Sequence, residues 1–171
     1  MFHAFDNPGP NRETSRAEWM ALLARAPLPM LEQALQVHLG RRSTQWLRRP
    51  ETGLYMVQGR AGGTGERFNL GEVTVTRCAL RSVGPDMAAS PVGVSYVLGR
   101  HHRQAEMAAL ADALLQQDSH LPALQHDLLD PVRQYLAGQT ARRQAQSRST
   151  RVDFFTVARE AGGTDDEEMD E

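Results

Sequence analysis

The sequence predicts an α+β fold: an antiparallel sheet of about four strands, helices packed mainly on one face, and polar N- and C-terminal tails. Three observations carry this. Two apolar, β-branched-rich runs, residues 54–57 and 68–80, flank a glycine-rich loop, AGGTGER. The connections between strand runs are short, and short connections join antiparallel neighbours. Runs rich in Leu and Ala, the best helix formers, lie on either side of the strands.

Residues 1–13 hold Pro8, Gly9, Pro10 and two Asn and read as a disordered lead-in. Residues 14–159 read as a single domain. Ser15 and Glu18 have the spacing of a capping box, so a helix is expected with Trp19, Leu22 and Leu23 on one face, ending near Ala26 before Pro27. Pro29 suits the first turn of a second helix, which groups Leu31, Leu35 and Leu39 and stops at Gly40. Trp46 and Leu47 in a polar frame predict a short edge strand ended by Pro50. Strands are expected at about 53–60, 67–82 and 92–99. In the second of these, Val73, Val75 and Cys78 alternate with Thr74, Thr76 and Arg77. The strongest helix signal follows, with Ala105, Ala108, Ala109, Leu110, Ala113 and Leu114 on one broad face. A further helix is predicted from about 122 to 137, opened by Pro122 and ended by Gly138. The polar stretch QTARRQAQSRST reads as frayed helix or linker, and 160–171 as an acidic disordered tail.

Composition excludes several functions. All 19 basic residues are Arg. Net charge is −2, but six of the 21 acidic residues fall in positions 165–171. Without those six, 19 basic residues face 15 acidic ones, a mildly basic body far short of a nucleic-acid binder. Cys78 is the single cysteine, so a disulfide within the chain, a CxxC metal site and an iron–sulfur cluster are all excluded. Its apolar neighbours predict a buried, inert thiol. No apolar run approaches the length of a membrane helix, and the N-terminus lacks a signal-peptide pattern. A cytoplasmic protein without membrane or nucleic-acid partners is expected.

Chemistry-bearing groups are few. The loop has three glycines in four positions, Gly62, Gly63 and Gly65, around Thr64. Such a loop either makes a hairpin turn or aims its amides at an anion. It is neither a Walker loop, since no Lys follows, nor a dinucleotide fingerprint, since no helix opens after it. Arg60, Arg67, Arg77 and Arg100 fall at strand ends or on one strand around it. Gathered together, they would favour a polyphosphate. Paired with Glu66, Glu72 and Glu106, they would be structural. His102 and Glu106, at i and i+4, are two ligands without a third, so no metal site is expected. No nucleophile–base pair is evident, and no residue is assigned as catalytic. Near the C-terminus, TRVDFFTVAR is an apolar island after a polar stretch. Arg151, Val152, Asp153, Phe154 and Phe155 are therefore candidate partner-interface residues, because aromatic side chains are the usual interface anchors.

In order, ETGL, R-x-GGTGERF, G-x-x-T-x-TR, G-x-S-Y-x-x-GR-x-x-x-x-AE and TRVDFFT resemble the PhnG family over roughly residues 15–159. GGTGERF and TRVDFFT are long and unusual. One departure is Gln104, where some members carry His before the Ala-Glu pair. The resemblance implies a subunit of the bacterial carbon–phosphorus lyase system for phosphonate catabolism. It implies work with PhnI, PhnH and PhnL to place a phosphonate on the ribose C1 of ATP with release of adenine. PhnI would be the nearest partner, and PhnJ a further one in the core assembly. The chain would need no cofactor of its own, with ATP and a phosphonate as substrates of the complex. Two roles stay open: an accessory subunit that completes its partner, or a direct contributor of triphosphate-binding groups through GGTGER. An independent small-molecule enzyme is a third, remote reading, opposed by the lack of an acid–base pair.

Overall fold

The computed structural model describes residues 14–39, 42–84 and 90–149. Two helices, α1 (Arg16–Leu23) and α2 (Leu28–Leu39), precede three strands, β1 (Ser43–Arg60), β2 (Arg67–Val83) and β3 (Gly93–Leu98). Then come α3 (His102–Leu115), α4 (Leu121–Leu124) and α5 (Asp130–Ser149). The capping box is formed: Glu18 N–H donates to Ser15 Oγ, and Ser15 N–H donates to the Glu18 carboxylate. Helix α1 stops at Leu23, three residues short of Ala26, as the chain turns toward Pro27.

The sheet is antiparallel in the order β1-β2-β3. It has three strands rather than about four, because the expected edge strand at Trp46–Leu47 and the strand at 53–60 are one 18-residue strand. Pro50 does not end it. The register shifts between Arg48 and Glu51, and β1 lies at the sheet edge. A missing N–H is tolerated at such a bulged edge. β3 pairs only with residues 75–80 of β2. Beyond that overlap β1 and β2 continue alone, as a two-stranded arm tipped by AGGTGER.

One face of the sheet is covered. Thr76, Cys78, Leu80 and Ser82 of β2, with Gly93, Ser95 and Val97 of β3, turn toward α3 and are buried. Gly93 shows how closely α3 lies. A Cβ there would stand 1.9 Å from the Ala109 carbonyl oxygen, so a side chain would push the helix off the strand. The small side chains of Ala105, Ala108, Ala109 and Ala113 give α3 the matching flat, buried surface. Leu31 and Leu35 of α2, Leu22 and Leu23 of α1, and Leu128 and Leu129 close the core around it. Each large aliphatic side chain buried this way stabilises the fold by about 1.5–3 kcal/mol.

A buried carboxylate ties the layers together. Asp112 on α3 accepts from Arg16 Nε (3.2 Å) and Nη2 (2.7 Å), from Trp19 Nε1 (2.9 Å) and from the Val94 amide (2.9 Å). One side chain thus joins α1, α3 and β3.

The last helical stretch departs from expectation. α4 passes through a π-helical turn, Gln125–Leu129, into α5. α5 does not stop at Gly138 but runs on to Ser149, so the QTARRQAQSRS stretch is helix rather than linker. Nothing crowds Gly138, and an exposed helical glycine costs only about 1 kcal/mol relative to Ala. No described helix is long and apolar enough to cross a membrane.

Candidate functional site

The structure divides the predicted anion-binding residues between separate places. Gly62, Gly63, Thr64 and Gly65 form the tip of the arm. Gly62 and Gly63 take left-handed φ values of 61° and 79°, which glycine reaches freely. The amides of Thr64 and Gly65 both donate to the Ala61 carbonyl, so they close the turn. The donors left for an anion are the amides of Gly62 and Gly63 and the two guanidinium groups at the neck. Arg60 and Arg67 are cross-strand partners there. Neither has an acidic partner among the described residues, and like charges placed opposite destabilise a ribbon.

Arg77 lies ten residues further along β2, about 33 Å from the Arg60–Arg67 neck at 3.3 Å per residue. It faces Glu51 rather than Glu66, Glu72 or Glu106, donating from Nε to Oε1 at 2.7 Å. Arg48 donates to the same oxygen. Glu51 therefore lies below its ordinary pKa, through the hydrogen bond from Arg48 first and that from Arg77 second. Arg100 follows Gly99, whose amide donates to Thr74 O. Thus Arg60 and Arg67 come together, while Arg77 and Arg100 stand apart from them. Arg151, Val152, Asp153, Phe154 and Phe155 lie outside the described residues.

The middle of the sheet gathers pieces of three of the motifs, ETGL, T-x-TR and S-Y-x-x-GR. Glu51, Arg77 and Tyr96 form one cross-strand row, and Gly53, Val75 and Leu98 form the next. Glu51, Arg77 and Tyr96 of the first row and Gly53 and Val75 of the second line a cleft of about 250 Å³, together with Thr52, Leu54 and Tyr55. On the covered face, Thr52 and Thr76 are partners beside the start of α3. Thr76 Oγ1 donates to the Gly99 carbonyl at 2.6 Å and accepts from the His101 amide at 3.1 Å. Its proton is therefore committed, and Thr52 Oγ1 is the donor across the 3.0 Å contact to Thr76. That leaves His102 Nε2 as the donor to Thr52 Oγ1, at 2.9 Å. The relay runs from His102 through Thr52 and Thr76 to Gly99. An imidazole that donates to a hydroxyl is not its base, so Thr52 is not an activated nucleophile in this arrangement.

Other candidates are accounted for. Glu106 accepts from Arg103 and does not meet His102 in a ligand cluster; no group of three metal-ligating side chains occurs among the described residues. Cys78 is buried, and burial first, then the Glu106 charge, pushes its thiol up to about 12. That thiol is inert at neutral pH. Sequence reasoning missed Glu51, Thr52 and Tyr96 as neighbours. Glu51 lies 26 positions from Arg77 and 45 from Tyr96 in the sequence, and only the strand register joins them.

A one-sided α+β chain, with an open sheet and a projecting two-stranded arm, has the form of a component that completes a larger assembly. The family described as "Phosphonate metabolism protein PhnG" matches residues 14–160. The chain belongs to the PhnG family. It is 39% identical over 144 residues, 84% of this chain and 88% of its relative, to the protein of Rhizobium meliloti (strain 1021) named alpha-D-ribose 1-methylphosphonate 5-triphosphate synthase subunit PhnG.

Proposed function

We propose that this chain is an accessory subunit of an alpha-D-ribose 1-methylphosphonate 5-triphosphate synthase. The assembly moves a phosphonate onto the ribose C1 of ATP and releases adenine. The observation that carries this reading is the 39% identity to a synthase subunit across nearly the whole of both chains. The architecture supports it: among the described residues no nucleophile is paired with a base, whereas a large apolar sheet face is left open. The partners are PhnI first, then PhnH and PhnL, with PhnJ in the wider core assembly. The chain has no cofactor of its own and works in the cytoplasm. Adenine release from ATP and methylphosphonate by the reconstituted subunits, with and without this chain, tests the reading. Turnover should depend on the chain; full turnover without it overturns the proposal.

A second reading rests on the arm tip. Arg60 opposite Arg67, without acidic partners among the described residues, favours an anion between them. In the assembly this tip grips the triphosphate. The segment Arg151, Val152, Asp153, Phe154 and Phe155 supplies a further contact to a partner subunit.

A further inference from the structure

An antiparallel sheet with one face in water normally alternates apolar inward and polar outward. This sheet does not. Its uncovered face carries Tyr55, Val73, Val75, Val94, Tyr96 and Leu98, while several positions facing α3 are Thr or Ser. Tyr55, Tyr96 and Leu98 are 64%, 50% and 68% exposed. Counted at about 200 Å² per fully exposed side chain, and with the part-buried valines added, the open face presents roughly 500 Å² of apolar surface. That matches the largest patches of ordinary monomers, which are often functional. At about 60% apolar it fits a footprint of about 800 Å², one side of a standard protein interface.

The cleft in this face is too small for a nucleotide. Its volume is about 250 Å³, below the roughly 300–1,000 Å³ of small-molecule pockets. Gly53 and Val75 form its floor, and the tyrosines and the Glu51–Arg77 pair its walls. Such a recess accepts one large side chain. Its surroundings are positive: among the described residues of the open face, Arg48, Arg77 and Arg81 stand against the carboxylate of Glu51. A second copy of the chain docked face to face would set arginines against arginines, which interfaces avoid.

We infer that the open face of the sheet is the docking surface for a different subunit, which inserts one apolar or aromatic side chain into the Gly53–Val75 recess and sets carboxylates against Arg48, Arg77 and Arg81. This rests on the reading of the chain as a synthase subunit. The anchor is held by burial at the centre, and the charged rim steers encounter and register.

Gly53→Leu is the decisive variant. A Cβ at Gly53 meets nothing within 4 Å, so the new side chain fills the recess without straining the strand. Wild-type and variant chains are melted alone and titrated calorimetrically into the remaining synthase subunits. Gly53→Leu should melt like wild type and bind about 30-fold or more weakly, the effect of losing one anchor. Arg77→Glu should slow association, with the difference shrinking as salt is added. Unchanged affinity for Gly53→Leu overturns the docking surface and leaves the synthase reading standing. A wild-type chain that binds none of the subunits overturns both. A wild-type dimer that Gly53→Leu splits assigns the face to a second copy. Tyr55 and Tyr96 becoming more solvent-accessible on truncation after residue 149 assigns it to the chain's own C-terminal segment. Either of these last two results also overturns the proposal.

Discussion

Arg77 donates from Nε to Glu51 Oε1 at 2.7 Å across β1 and β2, joining the ETGL and T-x-TR motifs in one row. Arg48 shares the same oxygen. Together they lower the Glu51 pKa. A carboxylate with a depressed folded pKa contributes stability above its ordinary value, lost as pH falls through the folded value. The Glu51 titration midpoint, read by NMR, should therefore lie below that of an exposed Glu. Arg48→Ala and Arg77→Ala should each raise it. A midpoint indifferent to both would refute the pairing.

Asp112→Ala should destabilise the fold far more than a surface change. It removes the carboxylate that accepts from the Trp19 indole N–H, the Val94 amide and Arg16, and leaves Arg16 its contact to the Val92 carbonyl. Breaking a buried pair by removing one side costs about 3–5 kcal/mol. For a chain of this size that lowers Tm by roughly 6–20 °C. A fall of only a degree or two would mean the region relaxes around the loss.

His38 and His120 stack edge to face at 5.0 Å, and Arg42 Nη2 lies 3.0 Å from His120 Nε2. Arginine has no acceptor, so that ring nitrogen is unprotonated. Burial first, then nearby positive charge, lowers both histidine pKa values. Stability from this cluster is thus full above the ordinary histidine value, about 6.5, and falls as the solution is acidified below it. His126 beside Asp127 is shifted upward and works in the opposite sense, but it is fully exposed. Thermal melts from pH 7.5 to 5 should show a declining Tm, and His120→Gln should flatten the decline. A steeper decline in His120→Gln would reverse the assignment.

Arg67→Ala should cut synthase turnover of the reconstituted assembly by about tenfold or more, the scale of one lost charged contact to a phosphate, with subunit association intact. Wild-type turnover from the assembled variant would make the arm tip a turn and nothing more.

Phe154→Ala combined with Phe155→Ala separates the two places for the apolar island. As an interface, the pair leaves the free chain's Tm unchanged and weakens binding to the I subunit by about 30-fold or more. Unfolding of the free chain would place both rings in the core instead.

The helices were legible because their signals are local. The Ser15–Glu18 box, the alanine face of α3 and the leucine spacing of α2 each lie within a few turns of sequence. The strands were legible as strands, but their faces were not. Between Val75 and Cys78 the apolar pattern changes parity, so period two alone cannot say which side is covered. The structure turns Thr76 and Cys78 to α3 and leaves Val73 and Val75 on the open side. Pro50 suggests a strand end because it removes a donor, yet it falls at the register shift between Arg48 and Glu51 on an edge strand, where no partner is matched to it. The central row of Glu51, Arg77 and Tyr96 depends on register across two strand pairings. Register is set by the whole sheet, so no short window contains it.

Among the described residues, the outer edge of β1 is bare along its 18 residues, and the arm beyond Thr74 has free edges on both sides. Rows of unpaired N–H and C=O groups are templates for indiscriminate strand addition, and the exposed side chains of Leu54, Met56 and Leu70 make this ribbon stickier. Pro50 and the kink beside it interrupt the row at one point only. The consequence reaches past the fold to the ribosome. A chain with such a border keeps best when it emerges in step with whatever covers it, and an excess made alone will be cleared or will precipitate.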